Sequence, residues 1–150
     1  MREIIKEQLN FTFQQLEGAL SGVSEEEGAA RPQGLAPIVW QVGHTAYYDA
    51  WLVELAIGGP LLVPAHYAEL FQQGSTGDGP LPSLAEVRAA FRRAHEGLLQ
   101  LADGDLNRPA VSGSEFSTVG GGLIFINVHR GYHIGKVFTL RALLGKPLLS

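Results

Sequence analysis

Four stretches of this chain repeat apolar residues at three- and four-residue intervals, and each ends in glycine, proline or both, or leads into a loop. No other feature limits the possible folds so tightly. In the first stretch Ile5, Leu9, Phe13, Leu16 and Leu20 form one stripe between about Arg2 and Leu20, with Lys6, Glu7 and Gln14 off it. The second, "IVWQVGHTAYYDAWLVELAI", follows Pro37, whose missing N–H suits a first helical turn, and stops at Gly58-Gly59-Pro60. Ser83 opens the third, and Glu86 three residues on completes a capping box ahead of the stripe Leu84, Val87, Phe91, Ala94, Leu98 and Leu101. The fourth runs from about Thr118 to Leu144 and is closed by Gly145 and Pro147.

Between these stretches the signals are short. Ser24 with Glu27 resembles a second capping box, soon interrupted by "GAARPQG". "AHYAELFQQ" suits a brief helix, "GSTGDGPLP" a mobile loop, and "DGDLNRPAVSGSE" another loop. No strand-like alternation, internal repeat or low-complexity tract occurs. The chain therefore reads as all-α, a four-helix bundle in a single domain over residues 1–150. The crossover between the second and third helices is long enough to return along the bundle, so the expected order is up-down-down-up.

Composition sets the functional limits. Hydrophobic residues at 45% and charged residues at 17% fit a folded globular chain. A formal charge of −4 argues against nucleic acid as a partner, since a phosphate-binding face would be basic. No apolar run approaches the about 18 residues that a membrane span needs. "MREIIKEQLN" carries charges where a secretory signal has its apolar core, so a cytoplasmic location is expected. Cysteine is absent, which excludes disulfides, thiolate ligands and a cysteine nucleophile, and leaves imidazole or carboxylate to hold any metal.

Two of the five histidines stand four apart in "NVHRGYHIGKVFTL". On a helix such residues lie one above the other, with Cβ atoms about 5–6 Å apart, so His129 and His133 can converge on one ion. A third ligand must come from His44, His66 or His95. His44 is the best candidate, because Trp40, Tyr47, Tyr48 and Trp51 around it form an aromatic side that belongs inside a bundle. His66 lies in the crossover and could reach a site from above. His95, one position beyond its helix's stripe, reads as solvated or as a boundary residue. Spacing alone leaves a metal site and hydrogen-bonded core histidines both open.

"HRGYH" lacks the glutamate of the H-E-x-x-H pattern, so no zinc-protease base is built in. Arg130 would repel a metal if it pointed inward, and is expected to face out or toward an anionic substrate. Tyr47, Tyr48 and Tyr132 are candidates to orient water or substrate, with core packing as the alternative. Asp49 and Glu54 are candidate acceptors for an imidazole N–H, though exposure is the plainer expectation. Trp40 and Trp51 are expected to fill the core. "TVGGGL" has neither the preceding strand nor the Lys-Ser/Thr pair of a phosphate loop, and reads as close helix packing or a loose first turn.

"VWQVGHTAYYDAW" resembles the histidine-bearing second-helix motif of the DinB/YfiT-like superfamily. "VHRGYHIGKVFTLRALLGKP" is similar to that family's last helix, with H-x-x-x-H, a leucine-rich stretch and a Gly-x-Pro stop. The resemblance spans nearly the whole chain. It implies an up-down-down-up bundle with a divalent metal held by His44, His129 and His133. Three neutral nitrogens leave an open coordination position, and zinc, nickel or iron suits imidazole. The resemblance also implies a metal-dependent enzyme, a thiol S-transferase or hydrolase-like activity on a small-molecule substrate such as the low-molecular-weight thiols bacillithiol and mycothiol. It leaves room for a homodimer. The alternative is a non-catalytic, stress-related bundle that binds a metal or small molecule.

Overall fold

Local capping and chain breakers set the ends of the helices. The computed structural model describes residues 1–58, 60–110 and 115–148. Among them are helices α1 (Arg2–Ala19), α2 (Glu25–Ala29), α3 (Ile38–Ile57), α4 (Tyr67–Phe71), α5 (Leu84–Ala102) and α6 (Val119–Leu143), with a 3-10 turn at Pro32–Gly34. No strand occurs among the described residues, only a lone bridge between Pro109 and Thr118. The all-α expectation holds, and the four long helices fall on the four periodic stretches.

The capping signals act as read. Ser24 accepts from the N–H of Glu27, and Ser83 from that of Glu86, whose carboxylate accepts in return from Ser83 N–H at 2.7 Å. Pro37 stands one position earlier than expected, as the N-cap of α3 rather than in its first turn. Gly58, at φ +71°, ends that helix with its N–H on the Glu54 carbonyl; Gly59 of the expected breaker lies outside the described residues. Residues 111–114 of the loop before α6 also lie outside them. Thr118 caps α6 by accepting from Gly121 N–H, and a Cβ on Gly122 would come within 2.7 Å of Phe116 and 2.9 Å of Leu52. Of the two expected roles for the glycine run, close packing is the one that Gly122 serves.

Two apolar clusters fill the interior. One gathers Leu16, Ile38, Val42, Ala46, Phe71, Val87, Phe91, Val137 and Leu140; the other gathers Ile5, Leu9, Leu52, Val53, Leu98, Leu101, Leu123 and Ile126. A polar layer of Asp49, His95 and Arg130 divides them. Three expectations fail here. Arg130 is fully buried, at 0% exposure, instead of facing out or toward a substrate; His95, expected in solvent or at the boundary, is 5% exposed; and Asp49, for which exposure was the plainer expectation, is 0% exposed.

The physical reason is pairing across the helices, which leaves only Asp49 Oδ1 in this layer without a partner among the described residues. Arg130 donates from Nε and Nη2 to Asp49 Oδ2 at 3.0 and 2.7 Å, and from Nη1 to Leu9 O at 2.9 Å and Thr12 Oγ1 at 3.1 Å. Its Nη2 also faces His95 Nδ1 at 3.3 Å, while His95 Nε2–H donates to Asn10 Oδ1 at 3.1 Å. Each charge finds partners from other helices, so burial is tolerated. Arg130 thereby touches all the other long helices from its own place on α6.

Further contacts register the helices. Between α1 and α5, Arg2 donates to Ala102 O at 3.1 Å and Arg88 reaches Glu17 at 2.9 Å. Between α1 and α6, Arg141 donates to Ala19 O at 3.0 Å, placing a cation at the carboxyl end of α1 where the helix dipole favours it.

Candidate metal centre

Helix α3 brings His44, and α6 brings His129 and His133 on one face, to a common point. The ring centroids lie 5.0 Å apart for His44 and His129, 4.5 Å for His44 and His133, and 4.6 Å for His129 and His133. One nitrogen from each ring lies within 4.8 Å of the other two. His66 is exposed beside the start of α4 and His95 belongs to the arginine layer, so neither joins the group.

Hydrogen bonds set the tautomers. His44 Nδ1–H donates to Phe71 O at 2.7 Å, and His133 Nδ1–H donates to Gln41 Oε1 at 2.7 Å. Both rings thus turn an Nε2 lone pair toward the cluster, the arrangement in which a ligating histidine is fixed from behind. His44 Nε2 and His129 Nε2 stand 3.1 Å apart. Two nitrogens each about 2.0–2.1 Å from one ion come to within about 3.0–3.4 Å of each other, so the spacing fits a shared ion. The buried Nδ1 of His129 has no partner among the described residues. An all-imidazole donor set suits zinc, nickel or ferrous iron.

Electrostatics keeps these rings neutral, as ligation requires. Burial lowers His44 against the opposing hydrogen bond from Phe71. Burial, His44 and Arg130 hold His129 down to about 4; burial, His129, His44 and Lys136 hold His133 down to about 3. His95 is lowered to about 4 by burial and Arg130. An unfolded chain takes up protons at His95, His129 and His133 near the ordinary 6.5, whereas the folded chain does so only near 3–4. Their contribution to stability is therefore complete above pH 6.5 and is lost as pH falls toward 4. Asp49, raised to about 6 by burial against the pull of Arg130, acts in the opposite sense, one group against three. Urea melts of metal-free protein should show a lower midpoint at pH 5 than at pH 7.5; equal midpoints would contradict neutral buried imidazoles.

The triad opens onto a cavity of about 500 Å³, walled by Trp40, Tyr48, Phe125 and Tyr132, with Gln73, Glu115 and Lys136 also lining it. Part of its wall comes from the crossover, which α3 holds at one-turn intervals. Trp40 Nε1–H donates to Ser75 Oγ at 2.9 Å, His44 reaches Phe71 O, and Tyr48 Oη accepts from Gln73 N–H at 3.3 Å. Gly43 lets this segment close in, since a Cβ there would stand 2.3 Å from the Phe71 ring.

Of the other expected residues, Tyr48 and Tyr132 line the cavity, while Tyr47 is half-buried against the core. Trp40 is buried and Trp51 half-buried. Asp49 is turned to Arg130, Glu54 is half-buried, and the acceptors behind the imidazoles are instead Phe71 O and Gln41. Gln41 was legible in principle, one helical turn before His44 and amid apolar residues. The Phe71 carbonyl carried no signal, because any residue supplies one.

No curated protein matches the chain. A family model described as the DinB superfamily matches residues 8–137, from the first helix to near the end of the last. The match takes in all three histidines, the whole of α3 and α6 as far as Val137, and so the chain belongs to the DinB superfamily.

Proposed function

We propose that this chain is a divalent-metal-dependent enzyme of thiol S-transferase or hydrolase-like type, holding its ion on His44, His129 and His133. The scaffold we infer is one domain, an up-down-down-up four-helix bundle. Contact order supports it: residues 2, 10 and 17 meet 102, 95 and 88 in reverse, and 9 and 19 meet 130 and 141 in the same sense. Residues 41 and 44 meet 133 and 129 in reverse, which leaves α3 and α5 parallel across the crossover.

The observation that carries the function is the pair of Nε2 lone pairs, fixed from behind by Phe71 O and Gln41, meeting a third imidazole at the floor of a cavity. A bound ion supplies a Lewis acid with an open position, which keeps a small cosubstrate's thiol as thiolate near neutral pH. The sulfur is the cosubstrate's, since the chain has no cysteine. Trp40, Tyr48, Phe125 and Tyr132 flank the second substrate and exclude water, and the Tyr48 hydroxyl, already accepting from Gln73, keeps its proton free to donate into the cavity.

No described helix is long and apolar enough to cross a membrane; the reading keeps a cytoplasmic enzyme, and the acidic charge supports one without nucleic-acid partners. Exposed Phe11 and Val128 support a homodimer. One observation favours the second reading, a non-catalytic metal- or small-molecule-binding bundle: Asp49, the buried carboxylate on α3, faces Arg130 and gives the triad no base.

Elemental analysis of untagged protein should find close to one zinc, nickel or iron per chain. Metal-free protein that also takes up none on addition would end this reading. Metal-dependent conjugation of an electrophilic dye to bacillithiol is the expected turnover; a metal-loaded chain inactive with several thiols favours the binder.

A further inference from the structure

The cavity beside the triad has an uneven charge. Three neutral imidazoles leave a bound ion's double positive charge uncompensated, and Lys136 adds another positive charge, against one carboxylate, Glu115, among the described residues of the lining. Lys136 is also unlike the other lysines. Lys6 pairs with Asp103 at 2.7 Å and Lys146 with Glu27 at 2.7 Å, whereas no carboxylate among the described residues pairs with Lys136. Its Nζ lies 5.2 Å from the centre of the Tyr132 ring, which also lines the cavity. On α6 it stands one turn beyond His133, about 5–6 Å away between Cβ atoms. Among the described residues it is the one lysine or arginine in the lining, and a lone ammonium matches a monoanion better than a phosphate dianion, which calls for several donors.

We propose that the ligand of this cavity is a small carboxylate-bearing molecule whose donor end reaches the triad while Lys136 Nζ holds its carboxylate beside Tyr132. This rests on the metal reading and adds to it a selectivity for acids over their neutral analogues. The ligand then brings negative charge to both positive poles, and the aromatic walls pack against the carbon chain between them. Lys136 is a binding residue here, with no part in bond making.

The test uses the full chain loaded with cobalt(II), titrated with 3-mercaptopropionate and with its neutral amide, and read by thiolate-to-cobalt absorption. The acid should bind about tenfold more tightly than the amide. Lys136→Gln should erase that preference and retain the cobalt, since the side chain is exposed and ligates nothing; Lys136→Arg should keep most of it. Equal affinities on the unmodified chain, or a preference that survives in Lys136→Gln, would overturn the assignment while leaving the metal centre intact. A chain that takes up no cobalt would overturn both.

Discussion

Arg130→Ala should destabilise the protein by about 3–5 kcal/mol, a large share of the about 5–15 kcal/mol that a domain possesses. The substitution leaves the fully buried Asp49 carboxylate without the two hydrogen bonds it receives at 3.0 and 2.7 Å. Leu9 O and Thr12 Oγ1 lose a donor as well, and the Phe91 ring loses the guanidinium 4.9 Å above it. What makes the change costly is the orphaned charge rather than the lost attraction, because both ions were desolvated on folding. It follows that Asp49→Leu combined with Arg130→Met should recover most of the loss. Urea denaturation of the three proteins measures both effects. A loss below about 1 kcal/mol in Arg130→Ala would show that the layer contributes little.

His133→Ala should lower metal affinity by well over the about 10–100-fold that changes behind a ligand cause. It removes one of three donors outright, and the other two, His44 and His129, come from different helices and cannot chelate as a local pair. Gln41→Leu tests the outer contact. His133 keeps its Nε2 but loses the acceptor 2.7 Å from Nδ1, so affinity should fall within about 10–100-fold. Competition against a chelator of known affinity separates the two outcomes. If Gln41→Leu were as damaging as His133→Ala, Gln41 would be acting on more than the ring's orientation.

The triad was legible because helical geometry converts sequence spacing into direction. Four residues make one turn, so His129 and His133 share a face wherever α6 lies. The aromatic side around His44 marked it as inward, since apolar surface must be buried. Arg130 was misread, and His95 left between solvent and boundary, for a related reason. A strongly polar side chain on a boundary position belongs in water unless partners from elsewhere satisfy it, and those partners, Asp49 and Asn10, lie 81 and 85 residues away. Lys136 resembled any exposed lysine, and its cavity exists only once the crossover is folded back along α3.

The amino-acid order alone determined which segments are helical, where they start and stop, and which side of each is apolar, because capping, glycine and proline breaks and the 3.6-residue period act within a few residues. Tertiary structure alone decided that the buried charges are paired, that a peptide carbonyl at Phe71 and an amide at Gln41 hold two imidazoles by their Nδ1 atoms and leave Nε2 free, and that a cavity opens beside them. Hydrogen bonding and desolvation depend on distances across the fold, and those distances come into being only when the helices pack.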